Sequence, residues 1–173
     1  MPAPHIEIER KFHLRTAPRP DVLAEHGAEA SQLVQVYLVS PEDGQVERVR
    51  RITAPDRTTT YRHTAKRRVG AFSFDEREIA IDAAGWDEAL RRADPARRPI
   101  RKTRFVVPHG EQRLEIDVFE EPAGLVVLEV ELRDEAEAVD LPAWLGEWRE
   151  VTGDQRYFNA SLARRESAVP GFD

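Results

Sequence analysis

The chain has 173 residues, no cysteine, and 26 Lys+Arg against 32 Asp+Glu, for a net charge of −6. This excludes disulfides, thiolate zinc sites and thiol nucleophiles, and an acidic chain is a poor match for nucleic acid. No apolar run approaches the ~20 residues of a membrane-spanning helix and the opening MPAPHIEIERKF lacks an apolar signal core, so the expectation is one cytoplasmic domain over residues 1–173 that binds no membrane.

Runs of alternating character, punctuated by prolines such as Pro18, Pro41, Pro55, Pro99 and Pro122, predict eight strands. They fall at 5–14, 32–39, 46–53, 58–67, 72–81, 100–108, 111–120 and 125–133. The stretch Pro108-His109-Gly110-Glu111 reads as a hairpin turn. Helical readings are short: 21–26 ending at Gly27, 86–93, 134–139, 143–148, and a last helix capped by Asp154 and running to about 165. Few helices among eight strands predict an α+β chain built on antiparallel β-structure.

Successive strand residues point to opposite faces, and sorting them exposes a charged face on nearly every strand. The first strand carries Glu7, Glu9 and Lys11 opposite Ile6, Ile8 and Phe12. Arg48 and Arg50, then Thr64 and Lys66, then Glu76 and Glu78, then Lys102 and Arg104 follow in order. The last two strands present Glu115 and Asp117, then Glu129 and Glu131. A single strand of this kind reads as one wet face of a sheet. The set reads differently, because acids and bases segregate by strand and the acids come in pairs that repel unless a cation joins them. Paired carboxylates beside clustered Arg and Lys are what a divalent cation and a polyanion need. Eight strands can close into a barrel. With the charged face inward, the apolar face turns outward and the short helices, with Trp86, Trp144 and Trp148, cover it. On this facing Phe12, Phe105 and Phe119 point out, and Tyr37 and Tyr61 are the aromatics able to reach the lumen.

These residues resemble the CYTH superfamily, the triphosphate tunnel metalloenzymes. Its opening Glu-x-Glu-x-Lys is matched by Glu7-Ile8-Glu9-Arg10-Lys11, and the later charge pairs follow through Glu129-x-Glu131 to Gly153-Asp154-x-Arg156-Tyr157-x-Asn159. The likeness is greatest to the compact bacterial branch that hydrolyses inorganic triphosphate. It implies an eight-stranded tunnel with a charged interior, dependence on Mg2+ or Mn2+, and a small-molecule triphosphate substrate. It further implies that Glu7, Glu9, Asp117, Glu129 and Glu131 hold metal. Lys11, Arg48, Arg50, Lys66, Lys102, Arg104 and Arg156 would hold phosphate, and Lys11 and Tyr37 would activate water. Glu76, Glu78 and Glu115 complete the tunnel carboxylates. Two positions depart from the pattern: Gln155 stands where a lysine is common, and Phe74 where an arginine is common. Arg67 and Arg68 are candidates to compensate.

The alternatives are a thiamine-triphosphatase or adenylate cyclase on the same fold, and a non-catalytic polyphosphate- or nucleotide-binding module. A pure polyanion binder has no use for so many inward carboxylates. The five histidines show no metal-ligand spacing, and no glycine-rich phosphate loop or nucleophile elbow is present.

Overall fold

The computed structural model describes residues 5–40, 43–71 and 73–173. Pro41 and Phe72, the latter the expected first residue of the fifth strand, lie outside them. The strands are β1 (His5–Leu14), β2 (Glu29–Leu38), β3 (Gln45–Thr53), β4 (Thr59–Arg68), β5 (Ser73–Ile81), β6 (Ile100–His109), β7 (Gln112–Glu121), β8 (Val126–Leu132) and β9 (Trp148–Glu150). The helices are α1 (Pro20–Glu25), α2 (Ala83–Leu90) and α3 (Asn159–Leu162).

All pairings are antiparallel, in the order β5-β4-β3-β2-β6-β7-β8-β1, and β1 pairs back onto β5 to close an eight-stranded barrel. The first half of β1 pairs with β5, Ile8 opposite Ser73, and its second half pairs with β9, Leu14 opposite Trp148. β9 thus takes over the edge that β5 leaves. Closure satisfies the backbone groups that an open sheet leaves at its edges.

The main core lies outside the barrel. Phe12, Leu14, Leu114, Ile116, Leu128 and Val130 are buried beneath α1, through Leu23, and beneath the 139–145 segment, through Val139, Leu141, Trp144 and Leu145. Each such side chain contributes about 1.5–3 kcal/mol when taken out of water. A second outer cluster of Leu38, Val49 and Trp86 sits under α2 with Tyr61 and Ile81. Asp82 caps α2 by accepting a bond from the Gly85 amide at 2.8 Å. The third cluster closes one end of the barrel. There Tyr37, Ile100, Phe119 and Val127 meet Val151, Tyr157 and Leu162.

All eight expected strands are present, and five expectations need correcting. Phe119 shares the inward parity of Glu115 and Asp117, and its ring lies 5.2 Å from Lys102 Nζ. Tyr61 faces outward against Trp86, with centroids 5.6 Å apart. The 134–139 stretch forms turns instead of a helix, because the Asp134 and Glu137 carboxylates accept the Ala136 and Arg133 amides at 2.8 and 2.6 Å. The 143–148 segment is a 3-10 turn (Ala143–Leu145) followed by β9. The expected last helix is a 3-10 turn capped by Asp154 and then α3, with Phe158 extended between them. Among the described residues no helix is long and apolar enough to cross a membrane.

Candidate functional site

Inside the barrel is a cavity of about 260 Å³. β1 supplies Glu7, Glu9 and Lys11; β2 supplies Tyr37; β3 supplies Arg48 and Arg50; β4 supplies Lys66 and Arg68. β5 supplies Phe74 and Glu76, β6 Lys102 and Arg104, β7 Glu115, and β8 Glu129 and Glu131. Phe158, Asn159 and Ala160 reach in from the segment that closes the barrel end. Strand alternation is the local cause: every second residue of eight closed strands must point in.

The charges are woven across strands. Lys11 Nζ is 2.9 Å from Glu129 Oε1 and 3.8 Å from Glu9 Oε1. Lys66 pairs with Glu7, and reaches Glu9 at 3.8 Å and Glu76 at 3.6 Å. Arg104 spreads its fork over Asp117, at 2.7 and 2.8 Å, and over Glu115 at 2.5 Å and Glu129 at 3.2 Å. Arg50 is drawn to Glu78, which also accepts from Thr64 at 2.9 Å.

These pairings do not cancel evenly. Burial raises the carboxyls of Glu9 and Glu7 above the usual range, and the opposing pull of Lys11 on Glu9 and of Lys66 on both does not offset it. Burial acts the same way on Glu129, but Lys11 and Arg104 overcome it and hold that carboxyl well below the usual range. Burial would discharge Lys11, yet Glu129 and Glu9 raise it above an ordinary lysine. Burial wins at Lys102, which is pushed down to about 8 despite the attraction of Asp117. Arg48 Nε and Arg50 Nε are buried without a hydrogen-bond partner among the described residues. A buried donor left unpaired costs stability, and an anion in the cavity would offset that cost.

Most of the expected site residues come together here. Three do not reach the cavity wall. Asp117 is fully buried behind it, held by Lys102 at 2.5 Å and by Arg104. Glu78 lies to the side with Arg50 and Thr64. Arg156 is 71% exposed and folds back onto Asp154 at 2.7 Å, outside the lining. Of the two compensating candidates, Arg68 lines the cavity while Arg67 is exposed and pairs with Asp75 at 3.5 Å. Phe158 and Asn159 carried no expected role beyond the motif that contains them. Phe158 packs edge-on to Phe74 with centroids 5.8 Å apart, and Asn159 Oδ1 accepts from Lys102 at 3.4 Å. No sequence signal marked them, because the stretch reads as one helix and the extended conformation at Phe158 shows only in the structure.

The donor set fits a hard divalent cation. It is oxygen-only, and two of its carboxylates, half-buried Glu7 and buried Glu9, have their charge incompletely offset. Among the described residues no three acids or histidines converge as a preformed metal cage.

No family model matches the chain. An inorganic triphosphatase of Acetivibrio thermocellus is 49% identical over 51 residues, which are 29% of this chain and 31% of that protein. The chain thus spans about a third of that curated relative in the matched stretch. The crystal structure of the inorganic triphosphatase NE1496 is 33% identical, covers 95% of this chain and 97% of its own, and superposes with a TM-score of 0.59. The PH1012 protein of Pyrococcus horikoshii shares the fold at 21% identity and a TM-score of 0.54, over 75% of this chain and 79% of that one.

Proposed function

The chain belongs to the CYTH-like triphosphate tunnel family, and on that premise we propose that it hydrolyses inorganic triphosphate to pyrophosphate and phosphate with Mg2+ or Mn2+. The observation that carries this reading is the pair Arg48 and Arg50. Both guanidiniums line the cavity, and each has a buried Nε with no hydrogen-bond partner among the described residues. Planar forks of this kind grip phosphate oxygens bidentately.

Phosphoryl transfer asks mainly for positioning and for neutralisation of charge on the transferring group. Lys66, Lys102 and Arg104 add point charges and a third fork to the wall that Arg48 and Arg50 begin. Glu7, Glu9, Glu129 and Glu131 are the residues that would hold the cation. A divalent cation held there would supply Lewis-acid neutralisation of the phosphate charge and a more acidic water. Lys11 keeps its charge beside Glu129, so its role is to orient the terminal phosphate and the incoming water, with Tyr37 on the facing strand.

The test is phosphate release from triphosphate, pyrophosphate, thiamine triphosphate and ATP, each with Mg2+ and with Mn2+. Metal-dependent release from triphosphate is the expected result. Failure of triphosphate to react with either metal overturns the reading.

A further inference from the structure

We infer that Gln35 is a positioning residue that turns the Tyr37 hydroxyl toward the cavity; this rests on the triphosphatase reading above. Gln35 points inward, because it stands opposite the cavity-lining Arg50 in the β2–β3 ladder, but it is 1% exposed and stays out of the lining itself. Its Nε2 donates to Tyr37 Oη at 2.8 Å. Arg48, opposite Tyr37 in the same ladder, hydrogen-bonds that oxygen as well. Amide and guanidinium nitrogens only donate, so the oxygen accepts twice and the hydroxyl proton is left for a third direction. Tyr37 and Arg48 both line the cavity, which is the open side.

The Tyr37 ring is already held. Arg97 lies over it at 5.2 Å, its backbone carbonyl accepts from the Asp94 amide at 2.9 Å, and Ile100, Phe119 and Val127 belong to the same buried cluster. What remains free is rotation of the hydroxyl about its C–O bond, and the bond from Gln35 restricts it. Packing does not explain Gln35. Its other ladder partner, Ile100, is 0% exposed, a setting that suits an apolar side chain. A buried amide costs stability where it is not fully hydrogen-bonded, and Gln35 Oε1 has no partner among the described residues. The bond to Tyr37 is therefore what the amide contributes. A hydroxyl whose proton is already aimed donates to a phosphate oxygen or to water without first reorganising, which favours the transition state and leaves ground-state binding to the cations.

The experiment is a double-mutant cycle of Gln35→Met and Tyr37→Phe, read as kcat and KM for triphosphate at saturating Mg2+ and as melting temperature. Methionine keeps the length of the side chain and removes the donor. Gln35→Met is expected to lower kcat at least ~10-fold with KM within ~3-fold, and to hold or raise the melting temperature, because the half-bonded amide is gone. In the Tyr37→Phe background the same substitution should change kcat less than ~2-fold, since no hydroxyl is left to orient. An equal loss in both backgrounds overturns the inference, and so does wild-type kcat in Gln35→Met or in Tyr37→Phe. A drop in melting temperature, or a Gln35→Met chain that fails to fold by circular dichroism, identifies a structural residue and overturns it too. A wild-type protein inactive on triphosphate defeats the functional reading instead, and the melting temperature, which needs no turnover, then decides on Gln35 by itself.

Discussion

Lys11 and Glu129 stand directly opposite each other in the β1–β8 ladder, with Nζ and Oε1 2.9 Å apart inside the barrel. Burial penalises both charges, and each is the principal reason the other stays ionised. A lysine held this way acts as a fixed cation. Lys11→Met should therefore lower kcat by at least ~100-fold, and Lys11→Arg should recover part of it, since an oriented charge is worth several kcal/mol in a dry site. Steady-state kinetics on both variants decide this. A total failure of arginine to rescue would argue that Lys11 must lose a proton during turnover.

Glu9 is the acid on which metal loading should turn. Its carboxyl lies among Lys11, Lys66 and Glu129, with Glu131 opposite it in the ladder. Chelation should abolish activity, and Glu9→Gln should cost at least ~100-fold in rate by loosening the cation. Near-wild-type turnover in the variant would remove Glu9 from the metal set.

The same carboxyl should make the protein less stable as pH rises. Its folded pKa lies above the ordinary 4.5, so between those two values the native state binds more protons than the unfolded chain, and stability falls with increasing pH. The penalty is complete above the folded value. Glu9→Gln should thus raise the melting temperature at pH 8, with the gain vanishing toward pH 4, at about 2–4 °C per kcal/mol for a chain of this size. Glu129 has the opposite sign. Its folded pKa is depressed, so the stability it contributes is present above the ordinary value and lost as pH falls toward the folded one. Glu129→Gln should lower the melting temperature at pH 8. Calorimetry of the two variants should give shifts of opposite sign there.

Lys102 sets an alkaline limit. Burial pushes it down to about 8, so its charge fades in the free protein above that pH. The plot of log(kcat/KM) for triphosphate should bend downward near pH 8, since kcat/KM reports groups of the free enzyme. In Lys102→Met the bend should disappear and kcat/KM should be low throughout. A bend that survives this substitution belongs to another group.

Much of this was legible because β-alternation is a strong signal when one face is ionic. All eight barrel strands follow from it, and so does the convergence of Glu7, Glu9, Arg48, Lys66, Arg104 and Glu129. What alternation cannot supply is depth. Asp117 and Glu115 have the same parity, and only packing against Val127 and Phe119 puts one behind the wall and the other on it. Short-range competition was equally hidden. β9 has three residues, too few for a pattern, and Asp134 and Asp154 hold turns by accepting local amides where a helix looked equally good.

Selectivity for triphosphate over ATP follows from what those hidden aromatics do. The sequence reading counted no phenylalanine in the lumen, yet Phe74, in the parity of Glu76, and Phe158 line it, and Phe119 lies just behind Lys102. An aromatic can stack a nucleobase only if a face is free. Phe74 has Lys66 Nζ 4.2 Å from its centroid and meets Phe158 edge-on. Phe158 in turn has Lys11 at 5.4 Å and Arg68 at 5.6 Å. Their faces therefore serve the cations that grip phosphate, and an adenosine would add bulk without compensating contacts. ATP also carries less charge at its esterified end than triphosphate does at either end. Triphosphate should accordingly exceed ATP by at least ~10-fold in kcat/KM, a modest discrimination of ~1.4 kcal/mol. Phe158→Ala should narrow that ratio, because it opens space for the nucleoside and loosens Lys11 and Arg68. Measuring both substrates on both proteins is sufficient, and a wild-type preference for ATP, or release of cyclic AMP, would show that the aromatic wall reads a base after all.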